Sequence, residues 1–161
     1  MRNVTVQNIV TDCHDEFKKI EHIILGLGRM HHIMPFLTKY AIIRACGAIE
    51  FSYKTIICDA HVVANPRTNN FMDEMLRNSS MNPSLDNIRR SLNRFDETLG
   101  DELTTRLRLR PDRSKIESSL KSLNEARNAF AHGGHPTTSF EQAVEYFNDS
   151  LVVVGILDDI V

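Results

Sequence analysis

The chain has 161 residues, enough for one domain with a real apolar core and too few to argue for two, so a single unit over residues 1–161 is expected. Hydrophobic residues at 42% and charged residues at 25% exclude disordered and membrane-embedded classes, and a net charge of −2 excludes a protein that coats nucleic acid with its whole surface. No apolar run approaches the roughly 20 residues that span a bilayer, MRNVTVQNIV has no signal-peptide layout, and three cysteines make no disulfide framework, so the expectation is a reduced, cytoplasmic protein.

Apolar residues at 6, 9, 10, 13, 17, 20, 24 and 27 follow helical spacing and predict a first helix from near Val4 to the glycines at 26 and 28. Pro35 suits the first turn of a second, long helix to about Val63, with Ile42, Cys46, Ile49, Tyr53, Ile56, Ala60 and Val63 as its stripe. Cys46 and Cys58 then lie about 18 Å apart along it, too far to bridge. NPRTNN at 65–70 and NSSMNPS at 78–84 are turn-rich and predict a loop with a short helical piece from Met72 to Arg77. Asn82 and Pro83 start a third helix through Leu99.

Pro111 and the pair Ser114 with Glu117 announce a fourth helix that ends at Gly133-Gly134. Ser139 with Gln142 caps a fifth, whose stripe is Phe140, Val144, Phe147, Leu151 and Val154. Strand alternation is absent, so the predicted architecture is an all-α bundle of about five helices.

The fourth helix holds the anomaly. Ile116, Leu120, Leu123 and Phe130 make its stripe, and the remaining core-facing slot is Arg127. A buried guanidinium demands a carboxylate, an anionic ligand or a wet pocket. Glu50, which projects between Ile43, Cys46 and Ile57 on its own helix, is the expected partner, either as support for a site or as a structural pair joining two helices. His132 lies about 140° around the helix from Arg127, and Asn128 sits one turn before His132 on the same side. Imidazole titrates near neutral pH, so beside a fixed cation it can give or take a proton, as phosphodiester cleavage requires.

ARNAFAHGG, with four residues between Arg127 and His132, resembles the R-x4-6-H motif of the HEPN superfamily, all-α domains many of which are RNases. Asn128 matches the polar residue usual after the arginine, and AIIRACGAIEFSYK, NIRRSLNRFD and the closing helix extend the likeness over nearly the whole chain. The branch it most resembles is RiboL-PSP-HEPN. The resemblance implies a metal-independent endoribonuclease, acting as a toxin or as a defence or stress effector. It implies a two-fold homodimer with one composite cleft and an antitoxin or defence-system partner. His132 would promote attack of the ribose 2′-OH to leave a 2′,3′-cyclic phosphate, Arg127 would stabilise the phosphorane, and Asn128 would orient histidine or phosphate. Alternatives are a non-catalytic interaction or oligomerisation module and a toxin paired with a nucleotidyltransferase antitoxin. The tyrosine modified in the latter pairs, two residues past the histidine, is Gly134 here.

Arg106, Arg108 and Arg110 lie in the most basic stretch and are the candidates for RNA contact, although such a stretch is ordinarily a solvated helical face. His31-His32, His14, His22 and His135 lack metal-ligand spacing, and GLG at 26–28 lacks a preceding strand and a third glycine, so neither metal nor cofactor is expected.

Overall fold

The structure is a computed structural model and describes residues 1–134 and 137–161. Among the described residues every regular element is helical: α1 (Val4–Leu27), α2 (Met34–Ala60), α3 (Pro66–Met72) running into a π-helical turn (Asp73–Arg77), α4 (Leu85–Asn93), α5 (Glu97–Arg108), α6 (Arg113–Ala131) and α7 (Phe140–Ile160).

The long helices form where the apolar period and the caps agree. On α1, Val6, Val10, Cys13, Phe17, Ile20 and Ile24 are buried, the Asn3 side chain accepts the Val6 N–H, and the helix stops at Gly28. Pro35 lies in the first turn of α2 as expected. The Ser139 and Gln142 capping box opens α7. At the start of α6 the expected cap is absent: Asp112 occupies the N-cap without a side-chain bond, and Glu117 instead takes Arg113 at 2.8 Å.

The expected five helices are seven among the described residues. The segment read as one helix from Pro83 to Leu99 starts at Leu85, where Ser84 Oγ accepts the Asn87 N–H, and ends at Asn93. Asp96 then takes extended backbone and accepts the Thr98 N–H at 2.8 Å, which starts α5 as a separate helix. Leu103 and Leu107, one turn apart, bury its inner edge. Farther upstream, Asn65 accepts the Arg67 N–H with Pro66 just inside the helix, so α3 occupies residues expected to be loop.

α2 is central and packs against α1, α6 and α7, while α4 and α5 pair and α5 reaches α7. Ile42, Ile49 and Ile57 of α2 are fully buried, each contributing about 1.5–3 kcal/mol on leaving water. The Phe17 ring meets Phe140 edge-on at 6.2 Å and His14, one turn earlier, meets Phe147 at 5.3 Å, so α7 runs antiparallel to α1. At the far end Asp158 of α7 accepts the backbone N–H groups of Arg2 and Asn3, the latter at 3.1 Å, and so closes the open start of α1. All three cysteines are free and buried, and burial pushes the Cys13 and Cys46 thiols up to about 12. No described helix is long and apolar enough to cross a membrane.

Candidate active site

The last turns of α6 present Arg127, Asn128 and His132 at one end of the bundle. Arg127 and Asn128 are half-buried and His132 is exposed. His132 is the C-cap, its N–H donating to Asn128 O at 3.1 Å. The two glycines that follow have different reasons. Gly133 takes φ 78°, in the left-handed region. Gly134 donates to Ala129 O at 2.7 Å, and a Cβ there would stand 2.8 Å from that carbonyl oxygen. Together they end the helix at Ala131, with exposed His132 as its C-cap.

Arg127 Nη1 donates to Asn128 Oδ1 at 3.3 Å. It forms no ion pair among the described residues. The expected pair with Glu50 does not form: Glu50 Oε1 instead takes Lys54 Nζ at 2.5 Å and the Met81 N–H at 2.7 Å. The reason is competition between cations. Lys54, one turn along α2 and 1% exposed, has no water to solvate its ammonium and must have the carboxylate, whereas Arg127 reaches the solvated edge. Arg127 and Glu50 still act on one neighbourhood, since Cys46, raised mainly by burial, is pulled down by Arg127 and pushed up by Glu50.

Two further side chains reach this end of α6 from elsewhere. Asn82 Nδ2 donates to Asn128 Oδ1 at 3.2 Å. Lys39 Nζ of α2 lies 4.8 Å from the centre of the Phe130 ring and 6.0 Å from that of Phe36. Lys39 also lines a cleft of about 500 Å³ with Arg29, Thr38, Ser139, Phe140 and Glu141, where Arg29 meets Glu141 at 3.3 Å. Neither residue has a local signal in the sequence: Asn82 reads as part of a helix start, and Lys39 lies outside the motif.

The three arginines expected to touch RNA are not brought to this end. Arg110 precedes the start of α6, and Arg113 to Arg127 alone spans about 20 Å of helix. Arg106 is held by Glu102 at 2.7 Å and Arg110 by Asp112 at 2.8 Å, which leaves Arg108 without an ion pair among the described residues. His31 and His32 stack on each other with ring centres 4.3 Å apart. No three His, Cys, Asp or Glu side chains cluster as metal ligands among the described residues, and His135 lies outside them.

The chain is an all-helical bundle with Arg127, Asn128 and His132 at the end of its penultimate helix, the arrangement that the resemblance to HEPN domains implies. The family model for RiboL-PSP-HEPN matches residues 11–161, and the chain belongs to that family. Membership points to a nuclease or RNA-related role. None of the curated proteins or solved structures compared with the chain matches it.

Proposed function

We propose that the protein is a metal-independent endoribonuclease acting in the cytoplasm as a toxin or a defence or stress effector. The observation that carries this reading is Arg127: a half-buried guanidinium with an amide neighbour, no carboxylate paired to it among the described residues, and an exposed histidine at the same helix end. A cation kept free of acids at a partly dry site is suited to phosphate.

In the proposed reaction His132 takes the proton of the ribose 2′-OH as O2′ bonds to phosphorus. The P–O5′ bond then breaks, and O5′ leaves with a proton, giving a 2′,3′-cyclic phosphate and a 5′-OH. Arg127 and Asn128 hold the non-bridging oxygens, whose charge grows in the phosphorane. One histidine cannot be base and acid at the same instant, so the second proton comes from the imidazolium of a second copy across a two-fold axis, which is left as neutral imidazole.

The surface suited to that second copy is α2. Phe36, Tyr40, Ile43 and Phe51 are exposed along one helical stripe, with Gly47 between them. Lys39, in reach of the Phe36 and Phe130 rings, joins the head of this stripe to the active end of α6. Sedimentation is expected at twice 18.4 kDa, and Ile43→Glu is expected to give monomers without activity.

The decisive measurement is RNA cleavage by the purified protein in EDTA beside His132→Ala. Cutting by the parent, cyclic phosphate ends and an intact bond wherever the scissile nucleotide is 2′-deoxy are the expected results. A folded parent that binds RNA but never cuts it would favour the non-catalytic interaction module.

A further inference from the structure

The Asn128 carboxamide oxygen receives two donors, Arg127 Nη1 at 3.3 Å and Asn82 Nδ2 at 3.2 Å. A guanidinium can only donate, so Arg127 settles which way this amide faces: oxygen towards the arginine, NH₂ away from it. The same oxygen then requires that Asn82 present its own NH₂. The direction of both amides therefore follows from one fixed cation. Asn128 Nδ2 is left accessible, with no acceptor among the described residues.

Asn82 meets this requirement at a disadvantage to itself, since its Oδ1 is buried without a partner. Its backbone is held from several sides. Ser84 N–H and Asn87 Nδ2 both donate to Asn82 O at 2.8 Å. Glu50 takes the Met81 N–H, Lys54 donates to Ser79 O, and Asn124 Nδ2 of α6 donates to Pro83 O at 3.1 Å. The segment from Ser79 to Pro83 is thus fastened to α2, α4 and α6, and Asn82 projects from it onto the active end of α6. A loop serving only as a connection between α3 and α4 has no need of a side chain that leaves a buried acceptor unmet.

We propose that Asn82 is a positioning residue of the site: it fixes the Asn128 carboxamide with oxygen inward and NH₂ outward, so that the NH₂ is preset as a donor to a non-bridging phosphate oxygen. Glu50 and Lys54 serve the same end at one remove, by fastening the loop that carries Asn82. The catalytic meaning of this arrangement rests on the ribonuclease reading, while the orientation itself does not.

The test is a double-mutant cycle read in two ways. Asn82→Leu, close in size and without a donor, and Asn128→Ala are made singly and together, and kcat and KM are measured on an oligoribonucleotide with one scissile bond. Asn82→Leu is expected to lower kcat about tenfold with KM little changed. Added to Asn128→Ala it should lower kcat no further, because it acts through Asn128. Losses that multiply, or a loss confined to KM, would overturn the proposal. The second reading is the side-chain ¹⁵N amide signal of Asn128, which needs no activity. It should move in Asn82→Leu, and in the milder Asn82→Ser if the first variant does not fold, while the other α6 signals stay in place. An unmoved Asn128 signal overturns the inference even if RNA is cut. A parent that cuts no RNA while the signal moves removes the ribonuclease reading and leaves the orientation standing.

Discussion

Two cations, Lys54 that pairs with Glu50 and Arg127 that was expected to, are treated in opposite ways. Lys54 is 1% exposed and fully engaged, by Glu50 at 2.5 Å and by the carbonyl of Ser79. Arg127, less deeply placed, has an amide oxygen at 3.3 Å and no acid among the described residues. The difference separates structure from function on physical grounds. A buried ammonium without its carboxylate is costly, so the fold satisfies it. An arginine at a wet edge needs no acid beside it, so its charge stays available to an anion from outside.

The largest effects that could break this comparison are catalytic. Arg127→Ala and His132→Ala should each cut cleavage by ~10²–10⁴-fold, about 3–5 kcal/mol of barrier, with melting temperatures close to the parent. If Arg127→Ala unfolds the protein instead, the two cations are alike after all. Lys54→Ala should show the reverse pattern and cost about 3–5 kcal/mol of stability, because it leaves Glu50 without its cation. Glu50→Ala should likewise lose more stability than His132→Ala, now through Lys54 and the Met81 N–H, and thermal melts rank the three variants.

A third cation of α2 sharpens the comparison through pH. Arg44 binds Glu16 of α1 at 2.9 Å and Tyr40 binds the same carboxylate at 2.7 Å. Burial pushes the Glu16 carboxyl up, but the bonds from Tyr40 and Arg44 outweigh it and hold the carboxyl below its usual range. A lowered folded value means stability that is present above the unfolded carboxyl value of about 4.3 and lost as pH falls through the folded one. Glu16→Gln should therefore melt below the parent at pH 7, and the gap should close towards pH 3. A gap that widens on acidification would reverse the sign.

The smallest effects belong to the far end of α6. Charge reversal at Arg108 should weaken RNA binding and flatten its salt dependence without changing the rate of the bound complex. Reversal at Arg106 or Arg110 should matter less, since Glu102 and Asp112 already occupy them. Binding measured over a range of salt concentrations orders the three.

How much of this could be read in the residues depends on how local the cause is. Caps and periods announced α1, α2 and α7, and the Gly133-Gly134 stop placed His132, because each is settled within one turn of chain. Arg127 stood out as a cation in an apolar stripe for the same reason. The inward placement of Glu50 was legible too, but its partner was not: Lys54 lies on Glu50's own helix, and only the loop from Ser79 to Met81 folding over both makes their pairing compulsory. Asp96 hid the break between α4 and α5 because Leu92 and Leu99, one on each side, keep helical spacing across it. Asn82 touches Asn128 across 46 positions of sequence, a separation over which no local period speaks.

The direction of α7 carries a practical consequence. Its first turn lines the cleft that Lys39 shares near the end of α6, and five turns later Asp158 stands beside the first residues of the chain, about 27 Å away. The start of α1 and the end of α7 thus meet at the pole opposite Arg127 and His132. A label or surface tether placed beside Asn3 and Asp158 therefore leaves the end that carries Arg127 and His132 facing free solution, where immobilised protein can be presented with long, folded RNA.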